Sequence, residues 1–166
     1  MKAKRKWVGT LILTIILIAI DQYTKILAVR YLGGGRRIPL INGVLELTYV
    51  ENRGAAFGIF QNGTLILSVT SAIAVAVFIY LYFRIPDESR FRPLRVILVF
   101  LTAGAAGNLI DRVMLHYVRD FIYFSLIDFP VFNVADMYVT VSVFFLLILL
   151  LFVYKDEDLD RLKIFG

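Results

Sequence analysis

Cysteine is absent from the 166 residues, and histidine occurs once, at His116. The first absence removes disulfides, thiolate nucleophiles and cysteine metal ligands together. The second leaves no basis for a histidine metal centre or a Ser-His-Asp triad, so no metal or other cofactor is expected. Charge is scarce too: 19% of residues are charged and 60% hydrophobic, where about half would be apolar in a soluble domain. A mean hydropathy of +0.79 points to one integral membrane domain. The net charge of +5 comes from basic residues at the ends of apolar runs, not on a polar module. They read as topology signals, and no nucleic acid is expected as a partner.

Four apolar runs are long enough to cross a bilayer core of roughly 30 Å. The first spans about 8–31; it follows the basic residues Lys2, Lys4, Arg5 and Lys6 but continues past Asp21 and Lys25 with no small-residue cleavage pattern. That favours a retained helix over a secretory signal peptide. The second, 64–83, is uncharged throughout; the third covers about 94–118 and the fourth about 134–154. Between the first two, residues 34–60 change to short alternating runs. Asn42-Gly43 between 36–41 and 44–50 reads as a two-residue hairpin turn. Leu45, Leu47 and Tyr49 would form one greasy face able to lie on a membrane surface, with Glu46 and Thr48 opposite. The small residues of 51–58 suit close approach of backbone to another backbone or to a ligand.

The fold class is therefore an α-helical integral membrane protein, four transmembrane helices with a small extracellular β-sheet between helices one and two. The amino-terminal cluster and Arg84, Arg90, Arg92 and Arg95 fall on one side of the membrane, which the positive-inside tendency makes cytoplasmic. Both termini, including the charged tail 155–166, lie there. The hairpin and the 119–133 connection lie outside.

Ionisable and amide side chains inside such a chain are costly, which makes them functional candidates. They concentrate in 104–136: Asn108, Asp111, Arg112, Asp120, Asn133 and Asp136. Asp120 and Asp136 both fall at the outer rim, where span three ends and span four begins. Asp111, nine residues before Asp120, would lie on the opposite helix face and roughly 13 Å deeper on a continuous helix. It reads as an ion-pair or hydrogen-bonding group that steadies the bundle. Asp21 and Lys25, and Asn108 and Arg112, are four apart and share helix faces. Asp21 with Lys25 reads as an intrahelical pair, Asn108 as interhelical glue, and Asn133 as a helix N-cap. Gly104, Ala105, Ala106 and Gly107 suit tight helix packing, and His116 an interfacial position. Two close carboxylates cannot both ionise freely, so one proton is shared and one acid and one base result. Hydrolysis, proton or ion transport, and an assembly role all remain open on this ground.

Five motifs go further. Asp21-Gln22-Tyr23-Thr24-Lys25, Asn52-Arg53-Gly54-Ala55-Ala56-Phe57-Gly58, Gly107-Asn108-Leu109-Ile110-Asp111-Arg112, Val118-Arg119-Asp120-Phe121 and Phe132-Asn133-Val134-Ala135-Asp136 occur in one order and spacing. In these the chain resembles the lipoprotein signal peptidases, the type II signal peptidases of bacteria. The resemblance implies an aspartic endopeptidase of the bacterial cell membrane that acts near the outer leaflet. Its substrate would be a diacylglyceryl-modified prolipoprotein, cut just before the lipidated cysteine; membrane lipids would be its surroundings and a monomer its working form. It places the catalytic pair on Asp120 and Asp136. Supporting positions fall on Asp21, Lys25, Asn52, Asn108, Asp111, Arg112 and Asn133, with Asn52 and Arg112 touching substrate or its lipid. The resemblance implies an apolar residue before the first aspartate, and Arg119 departs from that. It is expected to point to solvent or phosphate.

Overall fold

The computed structural model of the protein describes residues 2–54 and 63–162, with side chains from Trp7 onward. From Ala55 on, the small-residue segment expected over 51–58 lies outside the described residues. Among the described residues four helices are long and apolar enough to cross a membrane: Trp7–Leu32, Thr64–Arg84, Ser89–Leu115 and Val134–Val153. In full, α1 is Lys2–Leu32, α2 Thr64–Arg84, α3 Arg92–Leu115 after a 3-10 turn, and α4 Val134–Ile148, continued by a π-helical turn Leu149–Val153.

The central helix is α3, which packs against α1, α2 and α4. Its small residues permit that. A Cβ added at Gly104 would come within 2.6 Å of the Ala135 carbonyl oxygen, and one at Gly107 within 2.5 Å of Asp21 Oδ2. The helix α2 has no fully buried residue: Leu65, Ile66, Val69 and Ile73 are exposed, as on a lipid-facing span, while Phe78, Leu81 and Tyr82 are half-buried against the core.

The sheet has three strands in the order β1-β2-β3, all antiparallel: β1 Arg37–Ile41, β2 Leu45–Asn52 and β3 Val118–Tyr123. Gly43, at φ 71, makes the hairpin turn, and Val44 N–H closes it on Ile41 O at 3.0 Å. A left-handed residue costs glycine little, hence its place there. The third strand replaces the last turn expected of span three. His116 adopts φ 65 and caps α3 at Leu115, so Val118 onward is extended and pairs with β2. The greasy face does not lie open on a membrane surface: Leu47 and Tyr49, with Ile38, pack against Ala28 and Leu32 of α1 and Phe121 of β3. The alternation also breaks at a bulge between Leu47 and Val50, leaving Thr48 buried and Val50 exposed.

At the opposite end of the bundle Ile85, Phe91, Leu94, Ile97, Leu98, Leu101 and Tyr154 form the largest apolar cluster. The charged tail joins it. Asp156–Leu162 folds as α5, buries Leu162, and is held by Arg90 to Asp158 at 2.8 Å and Arg161 to Glu88 at 2.6 Å.

Candidate active site

Helix α4 begins with a reciprocal cap. Asp136 N–H donates to Asn133 Oδ1 at 3.1 Å, and Asn133 N–H donates to Asp136 Oδ2 at 3.1 Å. Both orphan donors are satisfied, which fixes the Asp136 carboxylate against the helix terminus. The Asn133 side chain then reaches β3, donating from Nδ2 to Asp120 Oδ1 at 2.6 Å and to Asn108 Oδ1 at 3.1 Å. Asn108 returns the link, its Nδ2 donating to Asp136 Oδ1 at 2.7 Å. From β2, Asn52 Nδ2 donates to the other oxygen of Asp120 at 2.9 Å, while Gly54 N–H occupies Asn52 Oδ1. Three amides thus hold two carboxylates, one from a strand and one from a helix start. Asp120 is 2% exposed. Burial, and next the charge of Asp136, push it up to about 7, against the pull of its bonds from Asn52 and Asn133.

Behind this layer lies a buried ion cluster. Lys25 Nζ sits 2.9 Å from Asp21 Oδ2 and 3.5 Å from Asp111 Oδ2, and donates to Asn108 Oδ1 at 2.9 Å. Asp21 spends its other oxygen on Ala135 N–H at 2.9 Å, tying α1 to the start of α4. Lys25, Asp21 and Asp111 are shut off from solvent, and a buried charge tolerates that only when paired. Asp111 is therefore an ion-pair group, and its arginine is Arg119.

The expectation that Arg119 points to solvent or phosphate is overturned. Its side chain is 12% exposed and its guanidinium grips Asp111 with Nη2 at 2.6 Å and Nε at 3.1 Å. Consecutive strand residues face opposite ways, so Arg119 turns back to the helices while Asp120 faces the cavity. Two partners escaped sequence reasoning. Gln22 donates to Asp21, Asp111 and the Gly107 carbonyl and accepts from Arg119, although only its place in a motif marked it out. Ser71 lies 3.4 Å from Arg112 Nη1; a hydroxyl in an uncharged span is a weak signal.

A cavity of about 930 Å³ joins these parts. Asp120, Asp136, Asn52, Asn108 and Arg112 line one end. Ala74, Phe78, Val139 and Val141 continue it between α2, α3 and α4 as an apolar trough, and Ile127, Phe129 and Pro130 form part of its wall. Lys25, Asp21, Asp111 and Asn133 are not among the lining residues and act behind it. No group of three or more His, Cys, Asp or Glu suited to a metal occurs among the described residues. Two acidic side chains, of which Asp120 is pushed up to about 7, beside a trough fit for apolar chains, can activate a water against a carbonyl.

A model of the family described as signal peptidase (SPase) II matches residues 13–152. The chain is similar to a lipoprotein signal peptidase of Caldanaerobacter subterraneus, with 43% identity across 86% of this chain and 95% of that one. It is also similar to one of Streptococcus pyogenes serotype M1, with 39% identity across 93% and 97%. A solved bacterial membrane enzyme, obtained by the in meso method at 2.3 Å resolution, superimposes with a TM-score of 0.78 at 30% identity, covering 86% of this chain and 87% of that one.

Proposed function

We propose, for a chain that belongs to the signal peptidase II family, an aspartic endopeptidase that removes the signal peptide of diacylglyceryl-modified prolipoproteins, cutting before the lipidated cysteine. The observation that carries this is two carboxylates held by three amides, Asn133 bonding both of them, at the polar end of a trough that runs between membrane helices.

Asp120, which binds its proton up to about pH 7, acts as the acid, and Asp136 as the base. Asp136 takes a proton from water as the water oxygen bonds to the scissile carbonyl carbon, and Asp120 gives its proton to the carbonyl oxygen. Collapse of that gem-diol breaks the C–N bond: the leaving amine receives the proton taken by Asp136, and one hydroxyl returns a proton to Asp120, which leaves a carboxylic acid and restores the pair. Asn52 and Arg112, both on the cavity wall, hold the peptide and its lipid ester in register. The apolar trough takes the acyl chains, so binding energy remote from the scissile bond positions it. A peptide bond within a helix is shielded from water, and the substrate segment is therefore extended when cut, lying beside the sheet.

The sheet end faces the outer leaflet and both termini face the cytoplasm, in keeping with Arg84, Arg90, Arg92 and Arg95 at the opposite end. Incubating the purified protein with a diacylglyceryl-modified precursor and with its unlipidated twin tests the reading. Cleavage of the lipidated form alone is expected. An intact lipidated precursor, with proton or ion flux in liposomes instead, would favour the transport alternative.

A further inference from the structure

Asp120 stands on β3, which pairs with β2 along one edge; among the described residues its other edge has no further strand, only the isolated bridge of Ile122 with Phe132. Such an edge leaves N–H groups unpaired and lets a strand shift its pose. Here it is closed by two substitutes. The Phe132 carbonyl accepts from Phe121 N–H and Ile122 N–H at 3.0 and 2.8 Å. One position before Asp120, the carboxylate of Asp111 accepts from Arg119 N–H at 3.0 Å.

The same carboxylate receives the Arg119 guanidinium side-on, through Nε at 3.1 Å and Nη2 at 2.6 Å, and Nη2 also donates to Gln22 Oε1 at 2.9 Å. Backbone and side chain of one residue are thereby tied to α3 and α1 together. Because side chains alternate along a strand, fixing the roll of the backbone at Arg119 aims Asp120 at Asn52 and Asn133.

We infer that Arg119 is a positioning residue for Asp120, its clasp on Asp111 and Gln22 setting the pose of β3 and balancing the charge behind the reaction centre. This rests on the reading of Asp120 as half of the catalytic pair. The balance is countable: Asp21 and Asp111 face Lys25 and Arg119, two charges of each sign. Their field reaches the site, since the charge on Lys25 lowers the proton affinity of Asp120. Asp120 also senses Asp136 from α4 and faces Arg112 of α3. Without the Arg119 charge the cluster holds one excess negative charge, and Asp120 keeps its proton to higher pH.

The test measures turnover of a diacylglyceryl-modified precursor against pH for Arg119→Gln, Arg119→Lys and the double variant Arg119→Gln with Asp111→Asn. Arg119→Gln is expected to lower kcat about ten- to hundredfold, the scale of a misaimed catalytic group, with KM within about twofold. Its alkaline limb moves to higher pH. Arg119→Lys keeps the charge and loses the side-on grip, so kcat falls while the limb stays in place. The double variant stays slow but regains the original limb.

An Arg119→Gln protein with unaltered kcat and unaltered limb overturns the inference, as does one that only melts earlier and is otherwise normal. If Arg119→Gln does not fold, an unchanged kcat in Arg119→Lys overturns it. Should Asp120→Asn itself cleave, the catalytic reading fails whatever Arg119 does. If Asp120→Asn is inert and Arg119→Gln behaves as the unchanged protein, only the role of Arg119 falls.

Discussion

The ammonium of Lys25 donates to Oδ1 of Asn108 at 2.9 Å inside the bundle, so the NH2 end of that amide is the end that faces Asp136. The orientation of the Asp136 carboxylate, the proposed base, is thus set two residues away, by a cation on a different helix. Lys25→Met removes the cation between Asp21 and Asp111 and should destabilise the protein by ~3–5 kcal/mol, the cost of breaking a buried ion pair. Thermal unfolding in detergent reads this directly.

Asn108→Asp separates orientation from stability. It replaces the donor to Asp136 by a third carboxylate next to the pair. Cleavage should fall by about a hundredfold or more, as when one charge-stabilising donor is removed from an active site. Lys25 still has an oxygen to bind, so the folded yield should change far less.

Asp111→Asn should act the other way round. Asp111 grips Arg119 and neighbours Lys25 behind the cavity without lining it. Folded yield should drop, and the folded fraction should lose less activity per molecule than Asp120→Asn does. A well-expressed but inert Asp111→Asn protein would place Asp111 in the chemistry instead.

The glycines of α3 give a prediction on packing alone. Gly107→Ala drives a Cβ to 2.5 Å from Asp21 Oδ2, and Gly104→Ala drives one to 2.6 Å from the Ala135 carbonyl oxygen. Each should cost about 1–3 kcal/mol, the range for overpacking, seen as a lower melting temperature. Gly107→Ala should also slow cleavage, because Asp21 bonds Ala135 N–H at the start of α4.

Much of this architecture was legible from residue type and spacing. Apolar runs of bilayer length marked the helices, Asn42-Gly43 marked the hairpin, and the Asn133 to Asp136 spacing marked the cap. The third strand was not. Val118 to Phe121 follows an apolar helix without proline or glycine, and His116 in a left-handed conformation ends that helix with no signal in its residue type. On a helix that ran on through Val118, Asp111 and Asp120 would fall on one rod. A strand instead folds back and lets Arg119 meet Asp111, a contact that helical geometry forbids. Gln22 and Ser71 were hidden for a related reason, since their roles depend on which helices adjoin. In the tail 155–166 charges outnumber apolar residues, so nothing in its composition marked it as part of the packed bundle. Yet Leu162 joins the cluster that holds Phe91, and Arg90 and Arg161 pair with Asp158 and Glu88, so α5 is seated on the bundle.

The proton on Asp120 makes activity pH-dependent with a definite sign. A carboxyl raised to about 7 is protonated below that pH and ionised above it. As the proposed acid of the pair it must carry its proton, so kcat should fall as pH rises through about 7, approaching tenfold per unit well above it. A profile rising through that window would assign the acid role elsewhere.

The most direct measurement is cleavage of a diacylglyceryl-modified precursor at pH 6 by Asp120→Asn and by Asp136→Asn, each first shown by its thermal unfolding to be folded. The account predicts that both are folded and neither cuts. Substantial turnover by either folded variant would contradict it.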